Sequence, residues 1–291
     1  MQTKKLVFNS DDFGASKAFN LGIQKGFDAG VLTSTCILAN GVAFESGVEE
    51  ILPQMDGIGI GVHLNIIEGK SLTNPSMLCD SSGEFNNGFS QILMKSYDKR
   101  FITQVEAEFR AQIEKILRKT PVDHINSHVH THAITNIFSL TCDLAKEYGI
   151  KCVRTQFEHP YFIPNLKKHL SPKYPVNLIK VALLNHYSAR NKIKARANDF
   201  ITNDYILGVT YTGYMDEDAI VYGLKSIKKD CLTEILIHPT FYDEGQVLKP
   251  FNYGEYMLTQ SPTIKERIEE QGWTLTNYQQ IASTPKEELC C

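Results

Sequence analysis

Two adjacent carboxylates, Asp11 and Asp12, end the apolar run that opens at Leu6, and Gly14 follows where a strand should stop. Neighbouring side chains at a strand end diverge, so one carboxylate can hold a metal while the other accepts a proton. Taken alone, the pair would equally serve as a turn with a capping aspartate. Further along, four of the nine histidines fall in one segment, Asp123-His124-Ile-Asn126-Ser-His128-Val-His130-Thr-His132. In an extended chain His124, Asn126, His128, His130 and His132 share one side, a concentration that core packing does not require. Two more histidines, His63 and His238, close apolar runs of their own. One carboxylate and two imidazoles make a three-ligand site for a divalent cation, with positions left for water and substrate. The second aspartate and a further histidine would supply a base and an acid. His130 and His132, beyond the extended part, are substrate-binding candidates together with Arg154 and Asn65.

These residues need elements that bring them together. Phe19, Ile23 and Phe27 recur at helical spacing after the acidic turn, with Gly30 as a stop. A short strand follows around Thr35–Leu38. Ile58, Ile60, Val62 and Leu64 form one face of the next strand, and Gly59, Gly61, His63 and Asn65 form the other, where the glycines leave room for a cavity. Residues 70–99 lack periodicity and read as a long loop over the site. Thr103-x-x-Glu106 reads as a capping box opening a helix through Val105, Phe109, Ile113 and Ile116. The beat of strand and helix resumes with the histidine segment, a helix through Ile137–Tyr148, and a strand over Ile150–Arg154. Prolines break up the start of 156–200, and basic helical sequence follows. A strand over 206–211, a helix through Ile220–Ile227, the strand Glu234–His238, a helix opening at Ser261 and a last strand around Trp273 complete the chain. In such an alternating fold parallel strands present their C-terminal ends on one face, so Asp11, Asp12, His63, His128 and His238 converge.

The bulk properties narrow the function. With 291 residues, 42% hydrophobic and 22% charged, the chain has globular composition. We expect one domain over 1–285, with insertions at 70–99 and 156–200 and a flexible tail at 286–291. A net charge of −3 and scattered basic residues argue against nucleic acid as a partner. No apolar run approaches the roughly 20 residues of a membrane span, and the N-terminus does not read as a signal peptide. Seven cysteines without a C-x-x-C pair give neither a disulfide framework nor a zinc ribbon, so a cytoplasmic location is expected. Cys290 and Cys291 lie in the tail.

The segments Ser-Asp11-Asp12-Phe-Gly, Gly-Val-His63-Leu, His124-Ile-Asn-Ser-His128-Val-His130 and Leu-Ile-His238-Pro-Thr-Phe resemble, in order and spacing, the signatures of the YdjC-like carbohydrate deacetylases, a type that includes chitooligosaccharide deacetylases. The resemblance covers roughly residues 5–280 and matches 156–200 poorly. It implies a distorted (β/α) TIM-like barrel and removal of an acetyl group from an N-acetylated sugar. It also implies one divalent metal ion, magnesium or zinc, on Asp12, His63 and His128, with Asp11 as base and His238 as acid. A homodimer would suit this type of barrel. Asn126 stands where the family often has aspartate, and Val129 where a further histidine commonly follows. Two rivals are a barrel phosphoesterase, since His128-x-His130 resembles metal-binding pairs of those enzymes, and a sugar-binding protein without turnover. The first would need basic groups such as Arg154 or Lys70 near the site.

Overall fold

The computed structural model describes residues 4–164, 167, 174–228, 230–242 and 250–284. Eight parallel strands make one sheet: β1 (Lys4–Phe13), β2 (Ser34–Ile37), β3 (Gly59–Leu64), β4 (His124–Ser127), β5 (Cys152–Val153), β6 (Tyr205–Leu207), β7 (Leu232–Ile237) and β8 (Trp273–Thr276). The order is β5-β4-β3-β2-β1-β7-β6. The first half of β1 pairs with β8, Lys4 opposite Trp273, on the edge that β2 takes further along, Asn9 opposite Ser34. The two ends of the order approach each other. Cys152 bridges Ile201 in parallel, and the Ile206 amide donates to Phe157 O at 2.9 Å. The sheet therefore curls into a distorted (β/α) barrel with an irregular closing seam.

Helices α1 (Lys17–Asp28), α2 (Phe44–Ser46), α3 (Phe89–Lys95), α4 (Lys99–Leu117), α5 (Thr135–Glu147), α6 (Tyr174–Ala197), α7 (Glu217–Ser226), α8 (Pro250–Thr259), α9 (Ile264–Glu269) and α10 (Tyr278–Ser283) connect the strands. Their apolar faces meet the sheet in a main core that contains Phe8, Val62, Ile125, Phe109, Ile113 and Phe138, beside two smaller clusters. Truncating a fully buried aromatic such as Phe109 to alanine removes about 3–5 kcal/mol. Gly22 lets α1 approach the chain after β7, because a Cβ there would lie 2.6 Å from Pro239 O. The end of β7 is thus seated directly on α1.

The strand expectations hold with small shifts of boundary, and three local expectations do not. Helix α4 opens before Thr103: Asp98 is its N-cap and accepts from the Arg100 amide at 2.8 Å. Thr103, already inside the helix, returns its hydroxyl to Lys99 O at 3.0 Å, so it forms no capping box. Residues 70–99 are not an unstructured cover. They hold two antiparallel bridges and α3, and buried Glu108 accepts from the Leu72 and Thr73 amides. Late in the chain α8 precedes Ser261, and α9 begins at Ile264. The helical reading of 156–200 is met by α6, whose Asn191 donates to Ala133 O at 2.7 Å. The expected tail with Cys290 and Cys291 lies outside the described residues.

Candidate metal centre

The site begins with a break in β1. The register with β2 shifts between Ser10 and Phe13, and Asp12 takes the left-handed conformation with φ 69°. Strict alternation would send Asp11 and Asp12 to opposite faces. The bulge instead leaves Asp11 pointing inward and swings Asp12 to the mouth of the barrel, where both line one cavity.

Asp12 Oδ1 lies 3.3 Å from His63 Nε2 and 3.0 Å from His128 Nδ1. One donor atom from each of the three falls within 4.8 Å of the others. His63 is oriented from behind: its Nδ1 lies 2.6 Å from Asn126 Oδ1, the residue opposite it on β4. An Nδ1–H donated to that amide oxygen leaves the Nε2 lone pair facing Asp12. His128 stands where β4 stops. The next residues, Val129 (φ 52°) and His130 (φ 58°), are left-handed, which folds the histidine run back as a tight turn. Strain in a β-branched residue such as Val129 persists only where neighbours over-determine it. Burial alone would lower the His128 pKa, but the Asp12 carboxylate and, beyond it, Glu68 raise it to about 10. Burial likewise opposes ionisation of Asp12, yet His128 and His63 hold its carboxyl well below the usual range. A proton on His128 thus balances Asp12 in the metal-free chain, and two imidazoles with one carboxylate suit a divalent cation in its place. A second donor group, Asp11 with Cys36 and His63, is also within ligand range. There the His63 Nδ1 and Asp11 are already committed, and burial pushes the Cys36 thiol pKa well up, so the mouth is the better site.

Asp11 is held differently. Arg154, fully buried, donates to both its oxygens at 2.8 Å, and Asn9 and Asn126 each donate to Oδ1. Burial would raise the Asp11 pKa, but Arg154 outweighs it and keeps the group far below the ordinary carboxylate range. The same guanidinium contacts Glu234 on β7, which also accepts from Tyr278 OH at 2.6 Å. His238 follows β7. Its Nδ1 lies 3.7 Å from Glu255 on α8, and Asn252 donates to its carbonyl at 2.7 Å. Burial would lower the His238 pKa, but Glu255, then Asp12 and Asp11, raise it.

Asp11, Asp12, His63, His128 and His238 line one cavity of about 300 Å³. A neighbouring cavity of about 550 Å³, sharing Asp12, Phe19 and His128, opens on the side of Lys17, Val42 and Tyr242. Together they leave room for a sugar beside the donor cluster.

The four substrate-binding candidates part company. His130 lines the cavity, with a buried Nδ1 that meets no hydrogen-bond partner. Burial, then Lys180 and Arg154, hold its pKa well below the usual histidine value. His132 does not reach the cavity. It is buried between Ser127 Oγ at 2.6 Å and Arg154 O at 3.1 Å, and burial lowers its pKa to about 3. Arg154 offers no face to a substrate, since its charge is absorbed by Asp11 and Glu234. Asn65 is buried as well, accepting from the Ile67 and Glu68 amides to shape the loop after β3. The room left by Gly61 is not a cavity either: the His124 imidazole fills it, within 2.4 Å of where a Cβ would stand. That ring packs on Tyr278 with centroids 4.5 Å apart. Three polar residues near the site carry no signal in sequence spacing: Glu234 inside an apolar strand, Glu255 on α8, and Lys180 on α6, which lines the cavity without an ion pair to any described residue.

A family model described as YdjC-like protein matches residues 5–270. A carbohydrate deacetylase of Clostridium beijerinckii is 38% identical over 152 residues, which are 50% of this chain and 58% of that protein. Carbohydrate deacetylase 2 of Listeria innocua is 30% identical over 253 residues, 84% of this chain and 95% of the relative. Among solved structures, a protein of Enterococcus faecalis V583 named for cellobiose-phosphate cleavage superposes with a TM-score of 0.72 at 24% identity, covering 96% of this chain and 99% of its own. That likeness is one of fold.

Proposed function

The chain belongs to the YdjC-like protein family, and from that premise we propose that it is a metal-dependent hydrolase that removes the acetyl group of an N-acetylated amino sugar or chitooligosaccharide and releases acetate. The observation that carries this reading is the meeting of Asp12, His63 and His128 within 4.8 Å at the mouth of a cavity that Asp11 and His238 also line. The names of the relatives point the same way.

Asp12, His63 and His128 would hold the ion, magnesium or zinc. Bound there, a divalent cation polarises an amide carbonyl and makes water more acidic. The remaining steps fall to the protein. Asp11, fixed by Arg154, Asn9 and Asn126, takes the proton of the attacking water. Its depressed pKa keeps it ready as a carboxylate across the neutral range. His238, its pKa raised, carries a proton to the amine nitrogen, without which the C–N bond would not break. His130 lines the wall where the sugar would lie.

The phosphoesterase alternative loses Arg154 to its two carboxyl partners, which leaves Lys180 as the one lysine or arginine among the described residues lining the cavity. A sugar-binding protein without turnover would not need Asp11 and His238 in the same cavity as the donor cluster. Five described cysteines, Cys36, Cys79, Cys142, Cys152 and Cys231, are free thiols, which supports a reducing cytoplasm. No described helix is long and apolar enough to cross a membrane. The test is a panel of N-acetylated sugars and phosphate esters incubated with the metal-loaded protein. Acetate release without phosphate release is the expected result; phosphate release alone would replace this reading with its rival.

A further inference from the structure

We propose that Glu255 is the positioning residue for His238: its carboxyl draws Nδ1 of the imidazole toward α8 and so leaves Nε2 to present a proton to the departing amine. This inference rests on the deacetylase reading for the identity of the leaving group, though not for the pairing itself.

The geometry is specific to the way α8 meets the end of β7. Glu255 is 2% exposed, yet no lysine or arginine pairs with it among the described residues. Its Oε2 accepts from the His238 backbone amide at 2.6 Å and lies 3.7 Å from Nδ1 of the same residue. One oxygen thus holds the His238 backbone by a hydrogen bond and stands beside its ring at ion-pair distance. The segment is clipped again one helical turn earlier, where Asn252 Nδ2 donates to His238 O at 2.7 Å and the Thr240 amide donates to Asn252 O at 3.1 Å. A buried carboxyl beside an imidazole favours the protonated ring and selects which nitrogen points away. The other charged and titratable groups facing His238 are Asp11 and Asp12 from β1, Lys180 from α6, and the imidazoles of His63, His128 and His130. Among the described residues neither aspartate forms an ion pair with the ring, so the orienting contact falls to Glu255.

As the C–N bond breaks, its electron pair goes to nitrogen and the Nε2 proton of His238 follows. Neutral imidazole results, and solvent water restores its proton. Glu255 takes no part in bond making, so its loss should act through the ionisation of His238 and leave substrate binding nearly unchanged.

Two measurements on the full chain test this. Glu255→Gln keeps an oxygen for the His238 amide, and Glu255→Asp keeps the charge. First, the pH dependence of kcat for acetate release is recorded for the metal-loaded wild type and both variants. The alkaline limb of Glu255→Gln should move to lower pH, giving a loss of about tenfold in kcat above neutrality for each unit of displacement, with KM within about twofold. Glu255→Asp should recover part of the displacement. Second, the His238 ring is titrated by NMR in metal-free protein, assigned by its absence from His238→Gln; its midpoint should fall in Glu255→Gln. An unchanged alkaline limb together with an unchanged midpoint would overturn the proposal and reduce Glu255 to a backbone cap. If the wild type released no acetate from any N-acetylated sugar, the deacetylase reading would fail, and the NMR midpoints alone would decide the role of Glu255.

Discussion

Asn126 Oδ1 faces His63 Nδ1 at 2.6 Å, across a register that sets these two residues opposite each other on β4 and β3. The same amide turns its nitrogen to Asp11 Oδ1 at 3.1 Å. One neutral side chain thus orients His63, a proposed metal ligand, and braces Asp11, the proposed base. Replacing it with alanine should free the His63 ring to turn. We expect Asn126→Ala to bind the divalent ion about 10–100-fold more weakly, the usual effect of losing such a support. Metal titration by calorimetry checks this, and an unaltered affinity would show that the ring is held by something else.

Asp11 and Arg154 form a buried bidentate pair, so the carboxylate serves stability beside the chemistry proposed for it. Asp11→Asn should lower stability at pH 7 by about 3 kcal/mol, the low end for a broken buried pair because Glu234 still faces Arg154. The folded-state pKa of Asp11 is depressed, so its contribution is complete above its unfolded value near 3.8 and is lost as pH falls toward the much lower folded value. The gap between wild type and variant should therefore stay constant from pH 7 to about pH 4 and narrow below it. Denaturant melts at pH 7, 5 and 3 measure that gap. Equal stability of the two proteins at pH 7 would mean that the pair contributes nothing.

Val129 is 36% exposed and sits in a left-handed conformation immediately after His128. Such a backbone costs about 1–2 kcal/mol for a residue with a Cβ, and glycine there loses about 0.5–1 kcal/mol of that gain to chain entropy. Val129→Gly should raise stability by a few tenths to about 1 kcal/mol. It should also weaken metal binding, because the turn no longer confines His128. A variant less stable than wild type would contradict the strain.

Gly22 meets the backbone of Pro239, immediately after His238. A methyl group at position 22 must displace that segment, since the atoms it would meet, Pro239 O, Pro239 C and Thr240 Cα, are all backbone. We expect Gly22→Ala to cost about 1–3 kcal/mol and to lower kcat more than it raises KM. Thermal melts and steady-state kinetics separate the two effects.

Much of this site was legible in the chain itself. Asp11, Asp12, His63, His128 and His238 each stand where an expected strand ends, and parallel strands must bring such positions to one face. What sequence could not show is the register between strands. The room beside Gly61 reads as a cavity until Gly61 is found opposite His124, whose ring occupies it. Arg154 reads as a free cation for the same reason: its partners Asp11 and Glu234 come from β1 and β7, far away in the chain. His132 reads as a loop residue above the site because the left-handed turn at Val129 and His130 is a tertiary effect with no glycine to announce it. Glu255 was out of reach altogether, since no short spacing ties α8 to the end of β7.

The claim on which the rest depends is that Asp12, His63 and His128 grip one divalent ion and that this ion is needed for deacetylation. Metal content by mass spectrometry, measured beside acetate release for wild type, Asp12→Ala, His128→Ala and Asp11→Asn, addresses it directly. The expected pattern is one ion per wild-type chain, loss of both ion and activity in Asp12→Ala and His128→Ala, and a retained ion with most turnover lost in Asp11→Asn. Full metal content in Asp12→Ala and His128→Ala with undiminished acetate release would contradict it.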